Sequence, residues 1–165
     1  MQPTRLLLVD DEEEFVSALS ERLSVRGYEV RTALNGRDGL KVIEGGFIPD
    51  VVLLDVKMPG MDGVEVLHRI KEQQPLVQVV LLTGHATVDS AVQGMKEGAY
   101  DYIMKPADFA ELTGKIDKAA ERKREHEQEI TEIRQTPYLS PREQEEKVAA
   151  VIAQAKRNVQ GGSVF

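Results

Sequence analysis

Three aspartates, a threonine and a lysine stand directly after short apolar runs. Asp10 and Asp11 follow Leu6-Leu7-Leu8-Val9, Asp55 ends Val51-Val52-Leu53-Leu54, Thr83 follows Val79-Val80-Leu81-Leu82, and Lys105 follows Tyr102-Ile103-Met104. Three carboxylates repel one another unless a cation sits between them. Oxygen donors without His or Cys suit a hard ion, Mg²⁺ or Mn²⁺, in preference to zinc. A carboxylate can also attack a phosphoryl group to form an aspartyl phosphate. In that chemistry the metal, an ammonium and a hydroxyl hold the phosphoryl oxygens, roles for which Lys105 and Thr83 are apt. Each residue alone has an ordinary explanation, since Asp caps helices, Thr enters turns and Lys-Pro leaves edge strands. Their chemistry depends on whether the elements carrying them bring them together.

Apolar runs at 5–9, 28–33, 51–55, 77–82 and 99–104 are each followed by a stretch of helical spacing, which predicts repeated βα units and a parallel sheet. Phe15, Leu19 and Leu23 share a face of the first helix, and Gly27 stands where its cap would be. The second helix spans 36–44 and stops at Gly45-Gly46. Asp62 would cap a third helix carrying Val64, Leu67 and Ile70, and Val88, Ala91, Val92 and Met95 form the apolar face of a fourth. The first, third and fourth runs are continuously apolar, as strands buried on both faces should be. The second alternates and the fifth is interrupted by Asp101, which assigns them to the edges. With right-handed crossovers the expectation is a flavodoxin-like, doubly wound α/β fold: a five-stranded parallel sheet in the order 2-1-3-4-5. Parallel strands deliver their carboxyl ends to one rim, where the five residues should converge. Glu12-Glu13-Glu14 would then be the solvated first turn of the first helix, favoured by its dipole.

Composition narrows the classes further. A chain of 165 residues with 41% hydrophobic and 30% charged residues suits one domain with an appendage. No apolar run approaches the length of a membrane span, and the first ten residues lack the pattern of a secretory signal, so a cytoplasmic chain is expected. With no cysteine, thiolate chemistry and disulfides are excluded. A net charge of −7 argues against direct nucleic-acid binding. Nucleotide-binding, dinucleotide-binding, serine-esterase and zinc-protease motifs do not occur.

Val9-Asp10-Asp11, the run Leu54-Asp55-Val56-Lys57-Met58-Pro59-Gly60-Met61-Asp62-Gly63, Leu82-Thr83-Gly84 and Tyr102-Ile103-Met104-Lys105-Pro106 resemble the response-regulator receiver domain of two-component signalling over about residues 3–120. The likeness is greatest to receivers that precede sigma-54 activator ATPases, although neither an ATPase nor a DNA-binding domain follows in this sequence. By that resemblance Asp55 is the phospho-acceptor, taking phosphate from a sensor histidine kinase or phosphotransfer protein. Asp10, Asp11, Asp55 and the Lys57 backbone carbonyl arrange Mg²⁺, and Lys105 and Thr83 bind phosphoryl oxygens. Tyr102 is the rotamer switch that follows Thr83, and Lys57 and His85 are placed to tune hydrolysis. The resemblance implies a signalling domain with self-catalysed phosphotransfer and autodephosphorylation, not an enzyme.

Residues 1–120 are thus expected to form the receiver and 121–165 a helical extension. Phe109, Leu112, Ile116, Ala119, Lys123, His126, Ile130 and Ile133 recur at spacings of three and four, a seam that predicts a long fifth helix ending in a coiled-coil homodimer. After Thr136-Pro137, Ser140-Pro141-Arg142-Glu143 reads as a capping box for a second helix. Its apolar face is Val148, Val151, Ile152, Ala155 and Val159, and Gly161-Gly162 ends it. Such a helix must dock on something. A phosphorylation-independent adaptor using these helices is the alternative function. An aspartyl phosphatase is disfavoured because Lys57 stands where such enzymes carry a second acid.

Overall fold

Leu6, Leu7, Leu8 and Val9 are completely buried, which requires apolar cover on both faces of their strand. The computed structural model, which describes residues 2–84 and 87–158, supplies that cover. Strands β1 (Arg5–Val9), β2 (Glu29–Ala33), β3 (Val51–Asp55), β4 (Gln78–Thr83) and β5 (Asp101–Met104) form one parallel sheet in the order β2-β1-β3-β4-β5. Between them run helices α1 (Glu13–Arg26), α2 (Gly36–Glu44), α3 (Gly63–Gln73) and α4 (Val88–Lys96). The chain continues through α5 (Phe109–Arg134) and α6 (Pro141–Arg157).

Alternate residues of each central strand enter different cores, as the pleat demands. Leu7, Val9, Val52, Leu54, Val79 and Leu81 meet α2, α3 and α4, while Leu6, Leu8, Val51, Leu53, Val80 and Leu82 meet α1 and α5. This two-sided burial is why β1, β3 and β4 read as unbroken apolar runs. The edges behave as their composition indicates: only Ala33 is buried in β2 and only Ile103 in β5. Gly27, left-handed at φ 110°, ends α1, and Asp62 caps α3 by accepting from Glu65 N–H.

Several details differ from expectation. In α3 the buried apolar side chain of the first turn is Val66, while Val64 is half-buried. In α4 the inward face is Ala91 and Gly94, while Val88 and Val92 are exposed. The reason is a close approach: a Cβ at Gly94 would collide with the Leu81 side chain, so α4 turns its smallest residues to the sheet. Helix α5 runs through residue 120 without interruption. Its stripe of Leu112, Ile116, Ala119, Lys123 and His126 is buried, and α5 packs against β3, β4 and α6 of the same chain. Part of the seam thus packs against α6, whose buried residues are Val148, Val151 and Ala155. The capping box is present as read, with Ser140 Oγ accepting from Glu143 N–H and the Glu143 side chain accepting from Ser140 N–H. The helix ends at left-handed Asn158, ahead of Val159 and Gly161-Gly162, which lie outside the described residues.

Candidate functional site

The carboxyl ends of β1, β3, β4 and β5 deliver their following residues to one rim. Asp10 leaves β1 completely buried, and its Oδ1 accepts from Glu12 N–H at 2.9 Å, an Asx turn that leads into α1. Its Oδ2 lies 2.5 Å from Lys105 Nζ. Asp55 ends β3 at 8% exposure and accepts from Lys57 N–H at 3.3 Å. Asp11 is exposed, and carboxylate oxygens of Asp10, Asp11 and Asp55 lie within 4.8 Å of one another. The backbone beneath Asp55 is equally tight. A Cβ on Gly63 would collide with the Asp55 carbonyl and Val56 Cα, so only glycine lets α3 start this close to β3.

Electrostatics follow from the crowding. Burial, then the charge of Asp10 and more weakly of Asp11, push the Asp55 carboxyl up to about 6, against the opposing pull of the Lys57 N–H and Lys105. Burial pulls Lys105 down, but its hydrogen bond to Asp10 and the charges of Asp10, Asp55 and Glu12 outweigh this and leave it raised. Asp55 is thus still ionised at neutral pH, and Lys105 is a firm cation. Three clustered carboxylates form an oxygen-donor set that fits a hard divalent ion.

Thr83 ends β4 at 1% exposure; its hydroxyl lies 2.6 Å from Thr87 Oγ1 and 3.1 Å from the Gly84 carbonyl. Tyr102, on the neighbouring β5, is 42% exposed, and Lys115 Nζ lies 5.5 Å from its ring centre. The Lys57 side chain is exposed. Of the residues singled out in the sequence, Asp10, Asp11, Asp55 and Lys105 are brought together, Thr83 stands on the same rim, and His85 lies outside the described residues.

Sequence reasoning missed three neighbours. Glu12 Oε1 lies 3.4 Å from Lys105 Nζ, so one member of the acidic run serves the site and not solvent alone. Phe15 places its ring 4.3 Å from the same ammonium. Thr87 binds the Thr83 hydroxyl, and its only sequence signal is a hydroxyl residue just ahead of a helix.

Comparison with known proteins agrees with this geometry. The family model described as the response regulator receiver domain matches residues 6–117. The chain is 38% identical over 115 residues to the regulatory protein AtoC of Escherichia coli K12, covering 70% of this chain and 25% of that protein. It is 35% identical over 134 residues to the DNA-binding transcriptional regulator NtrC of Klebsiella pneumoniae, covering 81% and 28%. It thus spans about a quarter of the length of these curated relatives. A solved receiver domain protein from Clostridium thermocellum superposes with a TM-score of 0.70 at 36% identity, covering 73% of this chain and 97% of that one.

Proposed function

The chain belongs to the response-regulator receiver domain family, and from that premise we propose that it accepts a phosphoryl group on Asp55 from a sensor histidine kinase or phosphotransfer protein and thereby switches protein contacts. The observation that carries this reading is the convergence of Asp10, Asp11 and Asp55 within 4.8 Å beside the Lys105 ammonium. Asp10, Asp11, Asp55 and the Lys57 backbone carbonyl would hold Mg²⁺, with Mn²⁺ as a substitute. The bound ion supplies neutralisation of the phosphoryl oxygens. An Asp55 carboxylate oxygen attacks the phosphorus, the bond to the donor's histidine nitrogen breaks, and its electron pair leaves with that nitrogen. Lys105, already aimed into the site, binds one phosphoryl oxygen, and Thr83 turns from Thr87 to bind another.

Modification adds charge and acceptors that reward this rotation of Thr83 only in the phosphorylated state. Tyr102, now facing solvent, then follows into the vacated space. The surface of α4, β5 and α5, where Val88, Val92 and Tyr102 are exposed, is where we assign the output contacts; a second copy of the chain is one such partner. The division at 120 and 121 then separates two roles along one continuous helix. Lys57 and His85 are assigned to tuning the autodephosphorylation rate. A cytoplasmic location and the absence of direct nucleic-acid contact belong to the same proposal, and the net charge of −7 supports the latter.

Incubation with acetyl phosphate and Mg²⁺, followed by peptide mass spectrometry, is the test. The modification is expected on Asp55 alone and only with the divalent ion present. No labelling, or labelling elsewhere, would overturn the reading.

A further inference from the structure

The candidate site and the end of α6 occupy opposite ends of the sheet, yet α4 reaches both. Ahead of its first turn, Thr87 Oγ1 holds the Thr83 hydroxyl at 2.6 Å and accepts from Gly84 N–H at 3.0 Å. Past its last turn the chain passes through Gly98 at φ 107°. The Asn158 side-chain amide donates to the Gly98 carbonyl at 3.3 Å and to Gln78 Oε1 at 3.0 Å. A Cβ on Gly98 would collide with the Lys156 carbonyl, so the last turn of α6 is seated on this bend without clearance. Between the two ends, the contact of Gly94 with Leu81 fits α4 closely to the sheet. A nine-residue helix bound at both ends can carry a displacement as one rigid piece.

We propose that α6 is a latch governed by the receiver: it is docked while Asp55 is unmodified and released when Thr83 leaves Thr87 for a phosphoryl group, with α4 carrying the movement from Thr87 to Gly98. This inference rests on Asp55 being the phospho-acceptor and adds the place where its state is read out. Two features make the latch releasable. Among the described residues, neither ring nitrogen of buried His126, on the stripe of α5 that α6 joins, nor the Asn158 Oδ1 has a hydrogen-bond partner. Such omissions weaken an interface relative to an apolar one of equal area. The capping box at Ser140 and Glu143, with Pro141 in the first turn, stabilises α6 locally, so release does not require that it unfold.

Coupling of this kind is reciprocal: whatever loosens α6 must favour phosphoryl binding by the same factor. Because the chain has no cysteine, Val25→Cys on α1 and Gln154→Cys on α6, both at exposed positions, accept a unique pair of spin labels in the full chain. Beryllofluoride with Mg²⁺ serves as the phosphoryl probe, its binding followed independently by ¹⁹F NMR. The expected result is a narrow label distance without the probe and a longer, broader one with it. In the unlabelled chain, Gly98→Ala and Asn158→Ala should each bind the probe about fivefold more tightly or better, with circular dichroism confirming retained helix. Probe binding with an unchanged distance and unchanged affinity in both variants would overturn the latch and leave the phospho-acceptor reading standing. Failure of the unlabelled wild-type chain to bind the probe would overturn both.

Discussion

At the amino end of the sheet the buried Lys71 ammonium donates to the carbonyls of Pro75 and Val77 at 2.9 and 3.0 Å, and Lys123 reaches Asp50 and Glu127, both at 3.1 Å. At the carboxyl end, Asp10, Asp11 and Asp55 cluster beside the Lys105 ammonium, which pairs with Asp10 and Glu12. Buried charge costs free energy in both places. At the amino end acceptors offset the cost within the chain, which is what a structural joint needs. At the carboxyl end the carboxylates are left in excess, which is what the cation site we propose there requires. The contrast separates a joint from a binding site without appeal to family.

The sharpest way to break this comparison is Asp55→Asn. It should abolish acetyl phosphate labelling entirely and, without metal, raise stability at pH 7.5 by about 1–3 kcal/mol. The sign follows from the raised carboxyl: with a folded value of about 6, the native chain binds more protons than the unfolded chain between its ordinary value and 6. Wild-type stability should therefore fall as pH rises through that window and stay lowered above it, with that component absent in Asp55→Asn. Urea melts at pH 4.5 and 7.5 measure both. If the variant melts no later than the wild type, the excess of carboxylate carries no cost.

Magnesium should come next in size. At a hundred times its dissociation constant it stabilises the folded chain by about 2.7 kcal/mol, read as a rise in melting temperature that Asp11→Asn largely removes. A chain that gains nothing from the ion would place both ends of the sheet in the same class.

Lys71 sharpens the other side. Burial, and then the charge of Lys156, lower its ammonium to about 8, so between pH 8 and its ordinary value the unfolded chain holds the extra proton. Its contribution to stability should rise over that interval, by roughly 1–3 kcal/mol. Lys71→Met should lack that slope in paired melts at pH 7.5 and 9.5. The smallest effect expected is at the helix cap. Ser140→Ala removes the acceptor for Glu143 N–H and should cost α6 about 1 kcal/mol, seen as faster amide exchange in its first turn with the sheet unchanged.

The sequence by itself determined the strand order and the convergence of the acidic pair, Asp55, Thr83 and Lys105 on one rim. Strands buried on both faces must be continuously apolar, and a parallel sheet leaves its strand ends no other rim. It also determined the start of α6, because a capping box acts through neighbours three residues apart. Tertiary structure alone decided what lies between distant segments. Glu12 and Phe15 against Lys105, Thr87 against Thr83, and Gly98 beneath the end of α6 are meetings that no local period encodes. The stripe of α5 could have met a second chain or its own α6 with the same spacing. Which way α4 faces was settled by how closely Gly94 lets it approach Leu81, a matter of shape and not of hydrophobic pattern.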